Sequence, residues 1–179
     1  MTKKELRAAM KRRNLELTGS RRSEASARFF AAVERLPAFA AAHCIALYCA
    51  LGDEPETQPL FARWPAAGKR LIVPRVEGEE MNFYDYDSAG LVPGAFGIAE
   101  PGPEARPCDP HRIDLLVVPG VAFTAAGDRL GRGRGYYDTY LSRHGMRAVK
   151  VGVCYRHQVV GELPVEPHDV KMDILCTDL

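Results

Sequence analysis

The chain has almost no net charge: +1 over 179 residues, with 24 Lys and Arg set against 23 Asp and Glu. Proteins that bind nucleic acid or an anionic membrane over their whole surface are basic throughout, so that class is excluded. No apolar run reaches the ~18 residues that a membrane helix requires, and the longest, around residues 38–51, is broken by His43. The cysteines number five, an odd count without a CxxC pair. Four of them sit in or beside apolar runs, which suits buried thiols in a reducing compartment better than disulfides or a zinc cage. The start, MTKKELRAAMKRRN, lacks the apolar segment of a secretory signal, so a cytoplasmic protein is expected. There is no internal repeat of 20–50 residues and no low-complexity tract.

What remains is an ordinary globular composition, 46% hydrophobic and 26% charged, long enough to bury a core without covalent staples. One domain spanning residues 1–179 is expected. Charge is uneven locally: residues 1–22 carry a net +6 and residues 161–179 a net −4. Solvated helix faces account for such runs more often than ligand sites do.

Leu6, Met10 and Leu17 recur at helical spacing, so residues 2–17 read as a basic amphipathic helix. Thr18-Gly19-Ser20 is a stop and a cap, and residues 20–36 read as a second helix. Apolar runs at 44–50, 70–76, 81–86, 113–120, 146–153 and 172–177 read as strands. A short helix is expected over 57–64 and another over 136–143, while 87–112, rich in Gly and Pro, reads as loop. Strands alternating with helices predict an α/β class: a single-domain, three-layer, Rossmann-like sandwich. Its central sheet is expected to be mostly parallel or mixed, with an N-terminal helical pair. Ligands of such folds gather beyond the carboxyl ends of the strands.

One segment stands there, RLGRGRGYYDTYL, directly after the strand at 113–120 and its following turn. Gly127, Gly131, Gly133 and Gly135 permit close backbone approach, and Arg129, Arg132 and Arg134 offer forked donors to phosphate oxygens. The free N–H groups of a helix beginning near Gly135 favour an anion. The segment fits neither a dinucleotide GxGxxG, since Tyr136 stands at the sixth place, nor GxxxxGK[ST]. A flexible turn with solvated arginines remains open, whereas a disordered RG tract is opposed by the helical spacing of the tyrosines that follow. Asp138 either complements the helix dipole or holds a magnesium ion bridging phosphates. His168 beside Asp169 reads as a structural loop histidine.

The stretch from Arg129 to Asp138, preceded by VPGVAF, resembles the signature of the 5-formyltetrahydrofolate cyclo-ligases, also called 5,10-methenyltetrahydrofolate synthetases. KKELR (3–7), GDEPETQPL (52–60), VPRV (73–76), Gly97-Ile98-Ala99-Glu100-Pro101 and LPVEPHDVKMD (163–173) match the same family in order. The chain departs from the usual pattern in having Arg134 between Gly133 and Gly135 where three glycines are common, in the residues flanking Glu54, and in Phe96 where some members have tryptophan.

The resemblance implies ATP- and magnesium-dependent cyclisation of 5-formyltetrahydrofolate, with reduced folate and ATP as the partners of a monomer that binds neither nucleic acid nor membrane. It implies a nucleotide held by Lys3, Lys4, Arg7, Arg129, Leu130, Gly131, Arg132, Gly133, Arg134, Gly135 and Tyr136. Folate would meet Glu54, Phe96, Tyr136 and Tyr137, magnesium would be held by Asp138 and Asp173, and Arg134 and Tyr137 would take part in the chemistry. A non-catalytic nucleotide- or folate-binding module, or a basic-loop RNA binder, is the rival reading. A sugar-phosphate isomerase or acyl-transfer enzyme is opposed by the lack of a base–nucleophile pair.

Overall fold

A computed structural model of the protein describes residues 1–94 and 97–178. The chain opens with α1 (Lys3–Leu15), where the Thr2 hydroxyl accepts from the Glu5 backbone N–H at 3.2 Å and the Glu5 carboxylate returns to the Thr2 N–H at 2.8 Å. This reciprocal cap satisfies donors that the first turn otherwise leaves bare. At α2 (Gly19–Glu34) the Thr18 hydroxyl accepts from the Arg21 N–H at 3.2 Å, a one-way cap, and a short α3 (Pro37–Ala41) follows, started by a proline.

The central sheet contains β1 (Cys44–Ala46), β2 (Arg70–Glu77), β3 (Glu80–Asp85), β6 (Leu115–Val118), β9 (Val149–Val153) and β11 (Ile174–Cys176). Their order is β11-β9-β6-β1-β2-β3. All neighbours pair in parallel except β2 and β3, which form an antiparallel hairpin at one edge. The mostly parallel sheet expected from the apolar strand pattern is therefore present. Along β1 and β6 successive residues enter opposite cores. Ile45, Leu115 and Val117 pack with Phe29, Phe30, Val33 and Trp64 on one face, while Cys44, Ala46, Leu116 and Val118 pack with Phe83, Phe123, Tyr140 and Leu141 on the other. Burial on both faces is what makes these strands read as continuous apolar runs, and it gives the three layers. The helix α4 (Leu60–Ala66) lies between β1 and β2 in the chain, and α5 (Tyr136–His144) between β6 and β9.

Two small sheets accompany the large one. β7 (Ala122–Thr124) pairs antiparallel with β8 (Arg129–Leu130) and parallel with β10 (Val159–Val160), and β4 (Leu91–Pro93) pairs antiparallel with β5 (Ala99–Pro101). The expected N-terminal helical pair is present, and its two helices pack on different sheets. Leu6 and Met10 of α1 pack on Ala122 and Leu130 of the small sheet, whereas Phe29, Phe30 and Val33 of α2 pack on the large one.

Phe123 locks the two sheets together. A methyl group on Gly120 would lie 2.6 Å from its ring, and one on Gly152 of β9 2.7 Å from it. Both positions are filled by the aromatic ring rather than by side chains of their own.

The strands at 113–120, 146–153 and 172–177 form over fewer residues than their apolar runs, and 87–112 holds the antiparallel pair of β4 and β5 rather than loop alone. Two further differences have a visible cause. The run at 44–50 pairs as a strand only over its first three residues, with Leu47 N–H still donating to Ile72 O at 3.0 Å. The helix expected from residue 57 starts at Leu60, because the fully buried Thr57 is drawn inward. Its hydroxyl donates to Tyr48 O at 2.8 Å and accepts from Ala50 N–H at 3.2 Å.

Candidate active site

A cavity of about 640 Å³ opens where β1 and β6 end and the chain leaves the large sheet, a volume suited to a small-molecule ligand. Beyond β6 come Pro119 and Gly120, then the β7–β8 hairpin, whose turn is closed by Thr124 N–H donating to Asp128 O at 3.0 Å. β8 places Arg129 and Leu130, both buried, at the entrance to the glycine-rich turn. Gly133 at φ +111° and Gly135 at φ +72° hold backbone conformations that L side chains rarely adopt. Gly135 then acts as a left-handed cap of α5 without any side-chain hydrogen bond, so the N–H groups of the first helical turn stay available to an anion.

The three arginines of the turn do different things. Arg129, read from the sequence as a phosphate contact, has a side chain only 4% exposed. It donates to Pro119 O at 2.9 Å and to the Asp138 carboxylate at 3.3 Å, and lies 5.5 Å from the Tyr137 ring centre. Held by these contacts, it is nevertheless one of the residues that line the cavity. Arg132 is partly exposed and forks onto the acidic loop, 2.9 Å from Asp53 and 3.5 Å from Glu54. Arg134 borders the cavity with Gly131, Gly133 and Gly135. Arg7 joins the turn from α1, its Nε donating to Gly131 O at 2.8 Å. Lys3 reaches the same cavity and pairs with Glu166 at 3.1 Å. Lys4 is exposed and does not border the cavity. Leu130 does, with its side chain also packed in the small core beneath α1.

The lining also includes apolar and aromatic side chains: Tyr48, Leu51, Pro74, Val76, Met81, Ile98, Tyr136 and Tyr137. Phe96 lies outside the described residues. Glu54, also in the lining, is buried and accepts from Leu51 N–H at 2.8 Å. Burial pushes its pKa up, and the nearby Arg132 pulls it back. Burial, and then the charge of Glu54, push up the pKa of the Tyr137 hydroxyl, so it is held as a donor. Tyr140, at helical spacing from Tyr136, turns the other way and is 1% exposed against Phe83 in the core.

The carboxylates expected to share a metal are not brought together. Asp138 borders the cavity, accepting from Val170 N–H at 3.2 Å beside its contact with Arg129. Asp173 does not border it. At the approach to β11 its carboxylate accepts from Lys150 N–H at 2.8 Å and pairs with Lys150 Nζ at 3.2 Å, which ties the strand beginnings of β9 and β11. Among the described residues no three His, Cys, Asp or Glu side chains form a metal-binding cluster.

Sequence reasoning missed Cys49, Glu100, Glu166, His168 and Asp169, all of which border the cavity. His168, set aside as a structural loop residue, lies 3.3 Å from Glu166 and 3.6 Å from Asp169. For all but Cys49 the signal was present in the two segments Gly97–Pro101 and 163–173, whose likeness to a family was noticed without assigning these residues roles.

The model of the 5-formyltetrahydrofolate cyclo-ligase family matches residues 1–178. A 5-formyltetrahydrofolate cyclo-ligase of Escherichia coli is 30% identical over 174 residues, covering 94% of this chain and 96% of the relative. A probable 5-formyltetrahydrofolate cyclo-ligase of Schizosaccharomyces pombe is 36% identical over 126 residues, a match spanning 62% of each chain. The solved structure of the 5,10-methenyltetrahydrofolate synthetase of Aquifex aeolicus superposes with a TM-score of 0.88 at 39% identity, over 99% of this chain and 90% of that one.

Proposed function

The chain belongs to the 5-formyltetrahydrofolate cyclo-ligase family, and from that membership we propose that residues 1–179 form one catalytic domain that converts 5-formyltetrahydrofolate and ATP to 5,10-methenyltetrahydrofolate, ADP and phosphate. The observation that carries this reading is the make-up of one cavity. Its lining joins a cationic glycine-rich turn at a helix start to aromatic side chains and a buried glutamate.

The reaction must make a formamide carbon electrophilic. Its formyl oxygen attacks the γ-phosphorus of ATP and ADP departs. N10 then attacks the activated carbon, and phosphate leaves with the former formyl oxygen and takes up the proton lost from N10. Such a sequence needs screened phosphate charge and in-line placement more than it needs a nucleophile on the protein. Arg132, Arg134, Arg7 and Lys3 supply the screening cations, and the first turn of α5 supplies N–H donors. Glu54 and the tyrosines hold the reduced pterin, and the Tyr137 hydroxyl, kept protonated, donates at the reacting end.

Magnesium fits as an ion carried by the nucleotide, because it commonly uses one or two carboxylates plus phosphate oxygens and retains water. Asp138 is the carboxylate placed to hold it, and Asp173 is not. When bound, the ion would neutralise phosphate charge.

A monomer acting in the cytoplasm completes the proposal, without a nucleic-acid or membrane partner. Among the described residues no helix is long and apolar enough to cross a membrane. The test is near-ultraviolet absorbance of the methenyl product on mixing the protein with 5-formyltetrahydrofolate and Mg-ATP. An ATP-dependent rise is expected, falling at least tenfold in Asp138→Asn. Folded protein giving no rise refutes the reaction, and full activity in Asp138→Asn refutes only the role of that carboxylate.

A further inference from the structure

Asn14 is a puzzle on an otherwise basic amphipathic helix. It is 4% exposed, though it borders no part of the cavity. A buried amide is retained only where its hydrogen bonds are met, and here both ends are met across long stretches of chain. Nδ2 donates to Asp53 O at 3.1 Å, and Oδ1 lies 2.5 Å from His157 Nε2. The carbonyl of Asp53 can only accept, so the amide nitrogen must face it. Oδ1 is then left facing His157, whose Nε2 must carry the proton. The arrangement has one sense only.

From this we infer that Asn14 is a positioning residue for the acidic loop 51–54 that presents Glu54 to folate in the cavity. The inference rests on the folate reading above. Two consecutive carbonyls of the loop are caught from one side. Asp53 O is held by Asn14, and Glu54 O accepts from the Tyr155 hydroxyl at 3.5 Å. The His157 ring stacks on Tyr155, with centroids 5.6 Å apart and planes within 7°. Asn14, His157 and Tyr155 thus make a continuous brace behind the loop. Fixing two successive carbonyls fixes the peptide plane between them, and with it the directions in which the two carboxylates leave the backbone. Glu54 borders the cavity, and both carboxylates meet Arg132.

The experiment compares the whole enzyme with Asn14→Asp and His157→Phe. Asn14→Asp keeps the volume and the acceptor toward His157 but sets a carboxylate oxygen against the Asp53 carbonyl. His157→Phe keeps the ring stack on Tyr155 and removes the donor to Asn14. The expected result is a rise in KM for 5-formyltetrahydrofolate of about tenfold in the first and about threefold in the second. In both, kcat should stay within about twofold, since Glu54 contacts the ligand ring in ground and transition states alike. A purely structural Asn14 would lower the melting temperature or the active fraction and leave this KM unmoved, and that result in either folded variant overturns the inference. Where Asn14→Asp does not fold, His157→Phe alone decides. Wild-type turnover is measured first. If it is absent, the proposed reaction fails separately, and the positioning role is read from the Kd of 5-formyltetrahydrofolate by titration calorimetry. Equal values in wild type and variants overturn it, and a wild type that binds no folate overturns both readings.

Discussion

Glu54 shows at the scale of one residue how the site opposes the stability of the fold. Its carboxyl is buried, and burial outweighs Arg132 in setting its pKa above the ordinary value, which is about 4.3 in an unfolded chain. A carboxyl raised in this way opposes folding while it is charged. The penalty is fully present above the raised pKa and fades as the pH falls through it toward the unfolded value. Glu54→Gln keeps an acceptor for Leu51 N–H and removes the charge. At pH 7 its melting temperature is expected to exceed wild type by about 2 °C or more, on a scale of about 2–4 °C per kcal/mol for a chain of this length. The gap should close as the pH is lowered toward 4, and kcat/KM should fall at least tenfold. A lower melting temperature at pH 7 would mean that the pair with Arg132 stabilises after all. The site was only partly legible at this scale. The resemblance of short segments pointed to Glu54, Tyr137 and Asp138, which border the cavity, whereas the contacts of Arg129 with Pro119 and Asp138 arise only from tertiary packing and leave no mark in the sequence.

At the scale of elements, the large sheet was legible because its strands are buried on both faces and read as unbroken apolar runs. The small sheet was not. Val159 and Val160 pair with Phe123 and Thr124 over two residues only, and their signal drowned in a stretch rich in turn residues. The glycine-rich turn was legible in composition but not in shape. Gly133 holds φ +111° beside the Arg7 guanidinium, so a side chain there costs roughly 1–3 kcal/mol of backbone strain. Gly133→Ala is therefore expected to raise KM for ATP about tenfold and to lower the melting temperature, as steady-state kinetics and calorimetry can show. Gly161→Ala, in open space, should change neither. An unchanged KM for ATP in folded Gly133→Ala would remove the turn from nucleotide binding.

For the molecule as a whole, the cavity exists because six stretches far apart in the chain meet at the carboxyl ends of β1 and β6: α1, residues 48–54, the β2–β3 hairpin, residues 98–100, residues 119–138 and residues 166–169. No sequence window contains the whole of that wall, which is why Cys49 went unmarked, and Glu100 and His168 were given no role in the site, while the order of the segments was legible. What keeps the two sheets at the spacing this meeting requires is Phe123, lodged where methyl groups on Gly120 and Gly152 would otherwise stand. Those three positions therefore behave as a single lock, and a change at one is tolerated only with an answering change at another. Gly152→Ala alone is expected to destabilise by about 1–3 kcal/mol through overpacking, whereas Gly152→Ala with Phe123→Leu should recover most of the loss in a melting experiment. In a library randomised at positions 120, 123 and 152 and sorted for folding, the survivors should fall on a line of constant total volume, so that bulk is traded among the three rather than added.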